Sequence, residues 1–90
     1  MQPLNADRMH VHYAASDDVL YVAIDKPEPA VCDEDAHGIL WRISYDGGRL
    51  CGATVIGFSE CDNVIVLDRI AERLQFDIDA LRQAIDCQKQ

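Results

Sequence analysis

The feature that most constrains this chain is a single change of hydrophobic period near Ser59. Before it, apolar and polar residues tend to alternate, the period of a strand. After it, apolar residues recur at spacings of three and four, the period of a helix. A chain that makes this switch once folds as strands followed by helices, which predicts the α+β class. With 90 residues, of which 49% are apolar and 27% charged, it has the composition of one globular domain spanning 1–90.

Four strands are predicted. Met9-His10-Val11-His12-Tyr13 alternates cleanly, and Ser16-Asp17-Asp18 supplies a turn. Residues 19–25 are rich in β-branched and aromatic side chains, and Lys26-Pro27-Glu28-Pro29 ends that run because proline cannot donate to a sheet ladder. An acidic loop, Cys32-Asp33-Glu34-Asp35-Ala36-His37-Gly38, comes next. Residues 39–45 and 49–58 form the third and fourth strands, joined at Asp46-Gly47-Gly48, where glycine supplies the positive φ of a tight hairpin. Short links between four strands predict an antiparallel β-meander over 9–58, behind a flexible polar arm at 1–8.

The helical part covers 59–90. Val64, Leu67, Ile70, Ala71 and Leu74 make one stripe, with Ser59 or Asp62 available as a cap. The alternative is a fifth strand at Val64-Ile65-Val66-Leu67 entering a shorter helix. Asp77 is placed to cap a second helix with Ile78, Leu81 and Ile85 inward. One or two C-terminal helices are therefore expected.

Neither face of the predicted sheet is polar. In the second strand Leu20, Val22 and Ile24 oppose Val19, Tyr21 and Ala23. An antiparallel sheet with one wet face should alternate apolar and polar residues. The helices can cover one face, and a second copy of the chain is the simplest cover for the other. A homo-oligomer, most simply a dimer, is expected. The plainer alternative leaves small residues such as Ala23 and Ala53 at the surface.

Sixteen acidic against eight basic residues give a net charge of −8, with the basic ones scattered. Nucleic-acid binding rests on phosphate neutralisation, so it is disfavoured, as is an anionic membrane surface. No apolar run approaches the roughly 20 residues of a membrane helix. Cys32, Cys51, Cys61 and Cys87 show no C-x-x-C spacing. The start has no apolar signal region, so the expectation is a cytoplasmic protein with four thiols rather than two disulfides.

Tyr13 followed by Asp18-Val19-Leu20-Tyr21-Val22, and Gly38-Ile39-Leu40 followed by Tyr45-Asp46-Gly47-Gly48-Arg49-Leu50-Cys51-Gly52, resemble two blocks of a prokaryotic family known as domain of unknown function 2283. The resemblance spans 9–58. It departs at Ala14 and Ala15, where the family usually has aspartate and often proline, and at Thr54, where many members have glutamate. It implies a small β-rich domain with no established activity, and an antitoxin-like role beside small toxin-like proteins.

Candidate chemistry is sparse. His10-x-His12 puts two imidazoles on one strand face, a start for a Zn, Ni or Cu site that would need a third ligand such as His37. The plainer reading is two exposed histidines opposite Val11 and Tyr13. Asp33-x-Asp35-x-His37-Gly38 matches half a calcium loop, but the twelfth position is Ser44 rather than glutamate. No phosphate-cradling, hydrolase-elbow or zincin motif occurs. A concavity of several hundred Å3 within one small chain is not expected. The expected function is a non-enzymatic interaction domain without a cofactor. It would recognise a partner, in its most concrete form a small basic protein, through Asp33, Glu34 and Asp35 or through a sheet face bearing Tyr21 and Trp41. The alternative is a small metal- or ligand-binding protein using His10 and His12.

Overall fold

A computed structural model describes residues 8–25, 28–45, 47–61 and 63–88. It has the α+β architecture: strands β1 (Met9–Ala14), β2 (Val19–Ile24), β3 (Ala30–Glu34), β4 (Ile39–Ser44) and β5 (Leu50–Ile56), then helices α1 (Asn63–Leu74) and α2 (Ile78–Gln88). All pairings are antiparallel and the spatial order is β1-β2-β5-β4-β3.

Two features correct the four-stranded meander. The sheet has a fifth strand, β3, which overlaps the start of the segment expected to be an acidic loop. An edge strand needs only one partner and no buried face. From Val31 to Glu34 its side chains are exposed, so no hydrophobic alternation announces it. Its Asp33 and Glu34 put charge on an edge, which discourages strand addition. The order is also not sequential, because β2 pairs with β5 rather than β3. The strands that are apolar on both faces take the centre, and the charged one goes to the rim.

The buried face carries Leu20 and Val22 of β2, Ala53 and Val55 of β5, and Ile39 and Trp41 of β4. Ala53 is fully buried, which removes it as a surface residue. Phe58 lies in a short 3-10 turn, Phe58–Glu60, and Tyr13 meets its ring edge-on at 5.8 Å. Helix α1 lies against β5 and α2 against β1.

Val64 to Leu67 is helical, not a strand. The buried stripe is Val66, Leu67, Ile70, Ala71 and Leu74, while Val64 is 59% exposed. The inward phase thus starts two residues later than the sequence spacing suggests. Gln75 ends α1 in a left-handed conformation (φ 61) and the Phe76 N–H donates back to the Ala71 carbonyl, a Schellman closure. Asp77 caps α2 as expected, accepting from the Ala80 N–H at 3.1 Å, with Leu81 and Ile85 buried. Ser59 does not cap α1, since its hydroxyl donates to Asp18, and Asp62 lies outside the described residues.

Residues 1–7 of the expected arm also lie outside the described residues. Arg8 is anchored to Asp25 by two hydrogen bonds of 2.8 and 2.7 Å. This contact, above the opposing effect of desolvation, holds the Asp25 carboxyl below its ordinary pKa.

Candidate functional site

The helices leave one face of the sheet uncovered, and the strand register fixes what it presents. One cross-strand row runs His10, Ala23, Gly52, Arg42, Cys32. The next runs His12, Tyr21, Thr54, Leu40, Glu34, and a third holds Ala14, Val19 and Ile56. Tyr21 is 42% and Ile56 65% exposed, so this face keeps large apolar groups in water. The His12 and Tyr21 rings stack with centroids 6.0 Å apart and planes 22° apart.

In the first row the centre is small. Gly52 has no side chain, and a Cβ there would meet the Val22 carbonyl oxygen at 2.5 Å, so the close approach of β2 requires glycine. The register also shifts beside it, between Arg42 and Ile43. The result is a shallow depression of about 570 Å3 whose lining includes His10, His12, Tyr21, Ala23 and Arg42. A concavity of that size within one chain is contrary to the sequence expectation. A smaller groove of about 230 Å3 lies between the start of α1 and the end of α2.

Arg42 is the site residue that sequence reasoning missed. Its Nη2 donates to the Glu28 carbonyl at 3.0 Å, which holds the half-buried guanidinium in place. Arg8 and Arg49 make ion pairs with Asp25 and Glu28, whereas no carboxylate pairs with Arg42 among the described residues. The available signal was a charge in mid-strand, one position beyond Trp41. The Thr54 hydroxyl, in the neighbouring row, is buried without a hydrogen-bond partner.

The remaining candidates disperse. His10 and His12 are exposed on the same face of β1. His37 sits in the β3–β4 turn on the far side of the sheet, and β1 and β4 are separated by three strand spacings, about 14 Å. No three potential metal ligands converge among the described residues. Asp33 and Glu34 are exposed on β3.

Asp35 is committed to the turn. One carboxylate oxygen accepts from the His37 and Ile39 N–H groups at 2.8 and 3.1 Å, and the other accepts from the Trp41 indole N–H at 2.8 Å. Burial works to raise its pKa, but these three donors outweigh it and hold the carboxyl below its ordinary value. Its acceptor sites therefore serve the turn rather than a calcium ion. Trp41 is 2% exposed, faces the core and lies under the Arg73 guanidinium at 4.5 Å. It is a core residue, unavailable to a partner.

The Tyr13 and Asp18 of the family-like opening are structural as well. Tyr13 donates to Asp18 at 2.5 Å, and this bond, with some desolvation, raises the Tyr13 pKa. Asp18, in a left-handed turn position (φ 55), also accepts from the Ser59 N–H and hydroxyl, and its carbonyl accepts from the Gly57 and Phe58 N–H groups. One residue thus ties the β1–β2 turn to the end of β5. The four cysteines are free thiols, with Cys51 buried and its pKa raised first by desolvation and then by Glu28.

Comparison with protein-family models, curated proteins and solved structures finds no match to this chain. The family likeness therefore rests on the quoted residues alone.

Proposed function

We propose that the chain is a non-enzymatic interaction domain that docks a partner on the open face of its sheet, the simplest partner being a second copy. The observation that carries this is the exposure of Tyr21 and Ile56, beside half-buried Val19 and Leu40, on a face that no helix covers. Five strands of about six residues span roughly 24 by 20 Å, or about 480 Å2 in plan. Side-chain relief enlarges that area toward the ~800 Å2 per partner of a standard interface.

The net charge of −8 opposes self-association, but it is spread over the molecule, while this face bears Arg42, His10 and His12 against Glu34. Repulsion between distant carboxylates is screened beyond about 8 Å at physiological ionic strength. Self-association should therefore strengthen as salt rises. The same acidity, with exposed Asp33 and Glu34, supports a basic protein as a further partner in an antitoxin-like role. Four unbridged thiols support a reducing, cytoplasmic setting.

Sedimentation velocity at rising protein and salt concentration tests the reading. A dimer is expected in the tens of micromolar, and Ile56→Glu, at a site too exposed to disturb folding, should abolish it. A parent chain that stays monomeric at several hundred micromolar in both low and high salt would refute self-association through this face.

A further inference from the structure

We propose that the depression between His10 and Arg42 binds a small planar aromatic carboxylate, with the ring system lying over Ala23 beside the His12 and Tyr21 rings and the carboxylate on the Arg42 guanidinium. The site is complete within one chain, so it uses the open face without depending on self-association.

The register sets its dimensions. In their row His10 and Arg42 are separated by Ala23 and Gly52, which put almost no side chain above the backbone. The floor is therefore flat and about two strands wide, near 10 Å. The stacked His12 and Tyr21 rings form one wall. A flat floor beside an aromatic wall favours a planar ring over a branched aliphatic group.

Arg42 supplies the charge preference. It is the one arginine of the lining, it is held by the Glu28 carbonyl, and among the described residues no carboxylate neutralises it. A guanidinium presents N–H donors in a planar fork that matches a carboxylate in two parallel hydrogen bonds. The imidazoles at the opposite end add no negative charge to the lining. Most of the lining is apolar or aromatic, which disfavours a fully hydrated inorganic anion.

The probe is 2-naphthoate, titrated into the isotopically labelled full chain while backbone amide shifts are followed by NMR. The Ile56→Glu variant is run alongside to keep the face monomeric. Saturable shifts centred on Tyr21, Ala23, Gly52 and Arg42 are expected, with half-saturation at or below about 1 mM for a ligand of this size. Neutral 2-naphthamide and the Arg42→Gln variant, checked for folding by its own spectrum, should each weaken binding at least about tenfold. Equal binding of naphthoate and naphthamide would overturn the guanidinium's role. Equal binding of inorganic phosphate would overturn the aromatic one. The absence of saturable shifts at 10 mM naphthoate in both the parent and Ile56→Glu would overturn the site, whatever the oligomeric state.

Discussion

Asp35 separates a structural carboxylate from a recognition carboxylate, and its replacement has a calculable cost. In Asp35→Ala the His37 N–H loses its acceptor in an exposed turn where water replaces it at little net cost, whereas the Ile39 N–H belongs to a fully buried residue. The Trp41 indole N–H has no such recourse, because the ring is 2% exposed. Orphaning a buried donor costs about 1–3 kcal/mol, and hydrogen bonds to a charged acceptor contribute about 1.5–3 kcal/mol each. The sum for Asp35→Ala is about 3 kcal/mol, which in a domain of this size lowers Tm by roughly 12–24 °C. Asp35→Asn keeps one oxygen for the turn but sets an amide N–H2 against the indole N–H, donor against donor, so the buried indole stays orphaned and most of the loss should remain. Chemical denaturation followed by circular dichroism measures both. In a Trp41→Phe background the Asp35→Asn penalty should shrink by at least about 1 kcal/mol, the coupling expected of contacting groups. An unchanged penalty there, or an Asp35→Ala protein as stable as the parent, would refute the reasoning. The pH dependence has a definite sign. The folded pKa lies below the unfolded value of about 3.9, so the contribution is complete above that pH and is lost as pH falls through the folded pKa. Both variants should show a flatter acid limb than the parent.

Other substitutions probe the backbone and the thiols. Gly52→Ala forces a Cβ to within 2.5 Å of the Val22 carbonyl oxygen, so the β2–β5 ladder must open; a loss of about 1–3 kcal/mol in urea unfolding is expected. Gln75→Gly relieves a left-handed residue at the end of α1 and should raise stability by about 1 kcal/mol, read as a higher urea midpoint with an unchanged slope. An aromatic disulfide reagent should label Cys32 and Cys87 promptly in the native protein, whereas buried Cys51, with its raised pKa, should react only on unfolding.

The parts of the fold that were legible in the sequence are those where local chemistry and burial agree. β1 alternates because one face is packed and the other is not. The Asp77 cap and the Leu81–Ile85 stripe agree because α2 has one wet side. The parts that were not legible follow from contacts that no local pattern encodes. β3 is held by a ladder to β4 alone, so its residues carry the composition of a loop. The β2–β5 pairing is a choice among partners settled by both strands being apolar on two faces, a property of the assembled sheet. The same division holds at the site. His10, His12 and Tyr21 could be placed on one face by parity, but their meeting with Arg42 depends on β5 inserting between β2 and β4 with a glycine at the crossing. In the expected four-stranded meander β2 would lie next to the Arg42 strand, and Ala23 alone would separate His10 from Arg42. The non-sequential order thus creates the depression, and it does so at the one β5 position where a side chain cannot fit. A chain that needed only stability could have kept Arg42 paired, as Arg8 and Arg49 are. A guanidinium anchored by a backbone carbonyl and paired with no carboxylate among the described residues, beside Ala23 and the stacked His12 and Tyr21 rings, is the arrangement from which recognition by this face should be sought first.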